Sequence, residues 1–445
     1  MSTFRKWVAI VVISSASLCA TCASSVASFT EAGEAATFGV SKEVAILGIS
    51  LYVAGLGVGP LFVGPLSEVY GRNIVYRVSY LLFLIFTFPV AFAPDIGTFL
   101  AFRILTGFCG SAFLSVAGGS VSDMFANEHV ANPMAFYTMS PFIGPVLGPL
   151  YAGFINQNTD WRWTYRVQII WIFVEVIMLF FVRETYVPVI LKRKAARMRK
   201  ETGNDKYYAP LDRRNQSLLR EIVVSCYRPF ELMIYERMAL LLNTWTALLL
   251  GILYLTFQAF PYIFEQNHGF NVQTTGLAFL GLGVGIVIGS LTQPFWNRIF
   301  ARESAKYNGN PPPESRLIIG MAGAILCPIS LFWLSFTTYP AVPWIVPELA
   351  SIPFGMGMLF VFNAVFTYLV TAYRPIAASA LASNSFLRSS FAAAFPLFAG
   401  AMYDKLGTVG ATALLAGLTT LMAPLPFVFF KIGARLRQNS KFTTR

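Results

Sequence analysis

Apolar residues in this chain fall into blocks about as long as a bilayer is thick, separated by shorter polar stretches. The blocks run at 7–30, 45–66, 74–94, 98–119, 133–155 and 164–182, then at 239–263, 274–296, 316–336, 344–370, 378–402 and 410–431. About 20 apolar residues in a helix cross a hydrocarbon core of about 30 Å, so each block predicts one transmembrane helix. No strand-like alternation runs through them, which argues against a β-barrel. The pattern predicts an all-α polytopic membrane protein of about twelve spans, numbered 1 to 12 in chain order. A polar stretch at 183–238 divides them six and six.

Charge changes the picture by its placement. Only 12% of residues are charged and 56% are hydrophobic, with mean hydropathy +0.61; a soluble domain carries about twice that charge. The net charge of +12 would suit a nucleic-acid binder if it were clustered on a soluble face. Instead, with the N-terminus inside, 27 Lys and Arg residues fall in inner loops and termini and 4 in outer loops. That asymmetry predicts both termini and the 183–238 loop to be cytoplasmic, and no nucleic-acid partner. Met1–Ser25 has the outline of a signal peptide, but eleven further spans and the charge balance favour an uncleaved first helix. The sequon Asn215-Gln216-Ser217 then lies inside, where it stays unglycosylated.

Candidate chemistry is sparse. Cys19, Cys22, Cys109 and Cys327 sit in apolar blocks and Cys226 in a basic loop, so no disulfide framework is expected. His129 and His268 are too few and too far apart for a metal site. No nucleophile–base pair points to an enzyme. Span 2 carries Gly55-Leu56-Gly57-Val58-Gly59 and span 8 carries Gly281-Leu282-Gly283-Val284-Gly285, at equivalent places in the two halves. This repeat suggests parallel duplication.

Three constellations carry mechanism. After span 2 stand Gly64-Pro65-Leu66-Ser67-Glu68-Val69-Tyr70-Gly71-Arg72, where the glycines permit a tight turn and Glu68 and Arg72, four apart, are expected to pair in a latch. The matching place in the second half holds Gln293, Asn297 and Arg298, without the acid. Span 5 holds Pro141, Gly144, Pro145, Gly148, Pro149 and Gly153, prolines that remove backbone donors beside glycines that allow close, bendable packing. Span 4 holds Arg103, about 8 Å in from the outer end; a cation at that depth is functional by default.

These strings resemble motifs of the major facilitator superfamily. The loop after span 2 is similar to its signature loop, with Glu where many members have Asp. Gly144-Pro145-Val146-Leu147-Gly148-Pro149 resembles the antiporter motif in its fungal form. Arg103 with Gly107 resembles the span-4 element of proton-coupled members. Trp161-Arg162-Trp163-Thr164, Glu184-Thr185-Tyr186-Val187-Pro188 and Ala372-Tyr373-Arg374-Pro375 extend the likeness to the fungal drug:proton antiporter branch. Thr371 departs from it, standing where Asp is expected before Ala-Tyr.

The resemblance implies the major facilitator fold: a six-helix bundle at 1–182, a central loop at 183–238, a second bundle at 239–431 and a tail at 432–445. It further implies a central cavity lined by spans 1, 4, 7 and 10. Polar candidates there are Ser17, Thr21, Arg103, Thr106, Asn243, Thr244, Gln258, Asn363 and Thr367. Coupling requires a group whose charge changes; arginine keeps its proton, so Glu175 and Glu348 are the nominated acids beside Arg103. The expected function is proton-driven export of a small hydrophobic or amphipathic compound. Polyamine export and a non-transporting sensor are the alternatives. No cofactor beyond the proton gradient is expected. The expected partners are the substrate, protons and lipid, for a monomer in the plasma membrane, with the vacuolar membrane as rival.

Overall fold

The computed structural model describes residues 2–125, 131–204, 206–209, 212, 218–308, 311–438 and 440; His129 and the sequon at 215–217 lie outside them. Apolar blocks become helices because a backbone in lipid must satisfy its hydrogen bonds internally. Ten helices among the described residues are long and apolar enough to cross a membrane. The last of these, 377–438, bends at Gly407 (φ 70°) and supplies spans 11 and 12. Ala131–Asn158, with three prolines in its interior, supplies span 5, which completes twelve crossings.

Spans 2, 3 and 6 run at Lys42–Tyr70, Arg72–Ala91 and Arg162–Phe181. Span 4 starts at Ile96–Gly110 and ends at Ala117–Met124. In the second half, Arg237–Phe260, Leu280–Leu291, Ile318–Phe336 and Ile345–Ala372 form the bodies of spans 7 to 10.

Two elements differ from expectation. Span 1 comprises Thr3–Ser25 followed by Ala27–Phe38, eight residues beyond the apolar block. The ladder is interrupted at Val26, where Ser24, Ser25 and Ser28 turn their hydroxyls back onto the carbonyls of Thr21 (2.6 Å), Cys22 (3.1 Å) and Ser25 (2.7 Å), bonds that compete with the helix ladder. The central stretch is also largely helical, with Val187–Thr202 and Leu218–Tyr235. The second of these packs across spans 2 and 11, where Phe230 meets Phe386 at 4.9 Å.

One apolar core gathers Ile13, Ala20, Tyr52, Tyr80, Phe113 and Ile172 from spans 1–6. Another gathers Trp245, Phe257, Phe279, Met358 and Tyr368 from spans 7–12, and Ile49, Val53, Phe142 and Val146 of the first half join it. The bundles therefore share an apolar seam along spans 2 and 5.

The glycine repeat occupies equivalent seams. A Cβ added at Gly55 would sit 2.7 Å from the Phe108 nitrogen, and one at Gly59 2.8 Å from the Phe108 oxygen, both on span 4. In the second half, a Cβ at Gly281 would sit 2.7 Å from the Glu348 oxygen and one at Gly285 3.1 Å from the Met356 nitrogen, both on span 10. The middle glycines face the opposite bundle instead, Gly57 against Ser389 of span 11 (2.6 Å) and Gly283 against Val146 of span 5 (2.9 Å). Each repeat thus binds its own bundle with its outer glycines and meets the other bundle with its middle one.

Candidate functional site

Span 1 carries the site at Val26, where its hydrogen-bond ladder breaks although the backbone stays helical (φ −59°, ψ −30°). A helix end leaves carbonyls without partners, and Ala23 lies in the last turn before the break. Arg103 reaches across from span 4 and donates from Nη2 to the Ala23 oxygen (3.1 Å) and from Nε to the Gly48 oxygen on span 2 (2.8 Å). Its guanidinium lies over Tyr52 at 4.4 Å and near Tyr165 at 5.6 Å. Arg103 is 2% exposed, so it faces the protein interior rather than reaching for headgroups.

Beyond the break, Glu31 and Glu34 stand three apart and are both buried. Glu34 Oε1 accepts from Thr30 Oγ1 (2.5 Å) and Tyr165 Oη (3.0 Å), while Oε2 is buried without a partner. Gly48 lies against Oε2, at 3.6 Å from an added Cβ, and its carbonyl binds Arg103. Glu34 and Arg103 therefore share Gly48 and Tyr165 without touching each other. Glu31 Oε1 accepts from Gln258 Nε2 of span 7 (2.6 Å), and Ser24 Oγ pairs with Tyr254 Oη (2.6 Å). Both bonds join the two bundles.

The charge-poor end is sealed around them. Gly276 of span 8 presses on the Pro149 carbonyl of span 5, with an added Cβ at 2.6 Å, and Gly153 approaches the Val272 carbonyl at 3.0 Å. Gly144 and Gly148 face span 1, where an added Cβ would meet Thr21 Cβ at 2.6 Å and the Cys22 oxygen at 3.0 Å respectively. The carbonyl of Tyr137, which Pro141 deprives of its usual donor, accepts from Ser140 Oγ at 2.8 Å.

At the charge-rich end Arg72 has other partners than the expected Glu68. Span 2 ends at Tyr70 and Gly71 adopts φ 103°, so Glu68 and Arg72 lie on two different helices rather than one face. Arg72 Nε instead pairs with Asp123 at the end of span 4 (3.4 Å), Nη1 donates to Ser67 Oγ (2.6 Å), and the guanidinium lies 4.7 Å from the Tyr186 ring. Glu184 caps span 3 by accepting from the backbone nitrogens of Arg72 (2.9 Å) and Asn73 (3.3 Å). An acid there suits the positive end of a helix. The equivalent place in the second half lacks the acid: Gln293 Nε2 donates to Asn297 Oδ1 (3.0 Å), and Asn363 Nδ2 donates to Gln293 Oε1 (2.9 Å).

The other nominated residues are dispersed. Glu175 accepts from Ser15 and from Trp171 Nε1 (3.3 Å) between spans 1 and 6, with Oε2 unpartnered. Glu348 accepts from the Gly281 nitrogen (2.8 Å) where spans 8 and 10 meet. Thr21 and Thr106 bond to carbonyls of their own helices, and Ser17 is fully buried. Asn243 pairs with Ser383 (2.9 Å) and Asn384 (3.0 Å) of span 11. Thr244 turns onto the Leu240 carbonyl of its own helix with an exposed hydroxyl. Asn363 and Thr367 line a cleft with Trp296 and Arg316 inside the second bundle.

The residues that sequence reading missed are Glu31, Glu34, Asp123 and, as a cap, Glu184. A signal for the first two was present: no proline and a single glycine, Gly33, separate Ser28 from Gly39, and a three-residue spacing puts both acids on one face.

We expect Arg72→Ala to slow transport about tenfold, since losing a charge-assisted bond to a partly buried acid costs about 1.5–3 kcal/mol. Asp123→Asn should reproduce part of the loss and Glu68→Gln little of it. Initial rates in vesicles, normalised to membrane-inserted protein, are the measurement; equal losses for Glu68 and Asp123 variants would contradict this assignment of partners.

Comparison with known proteins agrees with this architecture. The model of the Major Facilitator Superfamily matches residues 13–396. Efflux pump atB of Aspergillus terreus is 49% identical over 392 residues, 86% of this chain and 82% of that one. The "Probable drug/proton antiporter YHK8" of Saccharomyces cerevisiae is 41% identical over 388 residues, 86% of this chain and 75% of that one. Among solved structures, the xylose transporter XylE from E. coli in a partially occluded inward-open conformation superposes with a TM-score of 0.65 at 17% identity. That match covers 96% of this chain and 98% of that one, and the likeness is one of fold. With its twelve crossings, its paired glycine seams and its likeness to fungal efflux pumps, this chain belongs to the major facilitator superfamily.

Proposed function

We propose that the chain exports small hydrophobic or amphipathic organic compounds by alternating access, driven by protons that bind at Glu34 and Glu31 beside Arg103. The observation that carries this reading is a buried acid with a free oxygen next to a buried cation that, among the described residues, pairs with no acid. A proton on Glu34 removes the charge that faces Arg103, and Arg103 holds the break in span 1 through Ala23. Protonation is thereby tied to the shape of the helix that bonds to span 7 through Glu31 and Ser24. Separation of the bundles at the charge-poor end breaks the Glu31–Gln258 bond and opens both acids to that side's water. The name drug/proton antiporter carried by the yeast relative supports the same coupling. We place both termini and residues 183–238 in the cytoplasm on charge placement, and the protein in the plasma membrane.

The test is flux through the purified protein in lipid vesicles under an imposed pH gradient. Fluorescent amphipathic probes of each charge type should include one that accumulates on the acidic side, and a protonophore should abolish that accumulation. Binding without gradient-driven accumulation of any probe would leave the non-transporting sensor as the function. Tags at both termini and in 183–238 should react in cells after permeabilisation alone; surface labelling of any of them in intact cells would reverse the orientation.

A further inference from the structure

A second intramembrane cation stands apart from the coupling pair. Arg388 lies in span 11, eleven residues from its start at Ala377 and so about 17 Å along the helix, near the middle of a membrane core. It is half-buried. Among the described residues no hydrogen bond or ion pair reaches its guanidinium, and Nε is buried without any partner. What surrounds it is aromatic. Phe366 and Phe362 of span 10 lie 5.4 Å and 5.9 Å from the guanidinium carbon. Tyr137 of span 5 and Tyr254 of span 7 are its electrostatic neighbours. Ser17 of span 1 adds a fully buried hydroxyl beside Tyr137. These six residues come from five spans and both bundles, so they face the seam between bundles rather than lipid.

A cation at this depth costs several kcal/mol unless something compensates it. Arg103 spends its donors on two carbonyls, and Arg72 has Asp123 and Ser67. Arg388 has aromatic faces, which offset part of a cation's cost, but no anion. An arginine presents a planar fork of donors that fits a carboxylate or sulfonate. The flanking phenyl and phenol rings fit a flat apolar body.

We propose that Arg388 is the substrate-recognition cation of this exporter, and that its preferred cargo is an organic anion with an aromatic or other flat apolar body. The proposal rests on the transport reading above and narrows its substrate class. It runs against polyamine export, because a polycation in this seam would meet an unpaired guanidinium. Arg388 is a different group from the proton-coupling pair, so cargo charge and proton charge are handled at separate places.

The experiment uses three probes of matched body whose charge does not change with pH: a naphthalene sulfonate, a naphthyl trimethylammonium and a neutral naphthyl sulfone. Binding is read by thermal shift and tryptophan quenching of the purified full-length protein, and flux separately in vesicles under a pH gradient. The wild type should bind and accumulate the sulfonate in preference to the other two. Arg388→Gln should weaken sulfonate binding about tenfold or more without weakening binding of the neutral probe. Arg388→Lys should restore part of it, since it keeps the charge but not the fork. Arg388→Glu should shift preference towards the trimethylammonium probe. Preference of the wild type for the cationic or neutral probe, or unchanged sulfonate affinity in a folded Arg388→Gln protein, would overturn the proposal. Sulfonate binding that needs Arg388 but never yields flux of any probe would uphold the anion site and overturn transport instead.

Discussion

Glu34→Gln should reduce pH-gradient-driven accumulation to a ratio of about one, the value for a carrier that equilibrates its cargo without coupling. Exchange of labelled for unlabelled substrate should persist near the wild-type rate. Glutamine keeps the oxygen that accepts from Thr30 and Tyr165 and removes the charge that faces Arg103, so shape and charge are separated in one change. Arg103→Gln should be more severe and should also stop exchange. That variant loses donors to the Ala23 and Gly48 carbonyls, each bond to a charged group contributing about 1.5–3 kcal/mol, and so releases the break in span 1. The same assay on Glu175→Gln and Glu348→Gln separates the rival acids. Full gradient-driven accumulation in Glu34→Gln would remove Glu34 from coupling, and loss in Glu175→Gln alone would move it to the bond with Ser15.

Gly144→Leu together with Gly148→Leu should stop export almost completely. Even a Cβ at Gly144 reaches 2.6 Å from Thr21 Cβ, and one at Gly148 reaches 3.1 Å from Ser25 Cβ, well inside van der Waals contact. Overpacking of this kind costs about 1–3 kcal/mol per site, and it falls beside the break in span 1 that Arg103 stabilises. Melting temperature should fall and flux should fall further than melting alone explains. Gly144→Ala is the milder variant, and adding Thr21→Ala should recover part of its loss by vacating the contact. Normal export in the double leucine variant would show that spans 1 and 5 do not need this approach during the cycle.

The spans were legible because hydropathy reports lipid contact directly, and little besides a bilayer calls for about 20 apolar residues in a row. What hydropathy missed follows from the same logic. Glu31 and Glu34 lower the local average, so a reading based on apolar runs stops at Thr30, whereas the helix continues to Phe38 because those carboxylates face protein rather than lipid. The loop after span 2 was legible as a motif, but the partners of Arg72 were not. Glu68 is near Arg72 in sequence, yet Gly71 turns the chain, and Asp123 arrives from another helix. The central stretch reads as a loop from its charge, although Leu218–Tyr235 has the apolar face that packs on spans 2 and 11. Arg388 lies inside the apolar block at 378–402, so its depth in the membrane can be read from the sequence. Its lack of a partner cannot, because absence of an acid is a property of five spans at once.

The glycine repeat divides the molecule by mechanical role. Spans 2 and 4 meet where Gly55 and Gly107 set main chain against main chain, and spans 8 and 10 do the same at Gly285 and Gly355. Contacts of that kind have no side chains to repack, so each pair is a stiff strut. Gly57 and Gly283 instead offer a bare backbone surface to Ser389 and Val146 of the opposite bundle. A ridge has no groove to climb out of there, so the surface behaves as a bearing. In the alternating-access cycle proposed above, sliding between the halves would be set at the middle residue of each repeat, and stiffness at its two ends. Lubrication and rigidity are written into the same five-residue string.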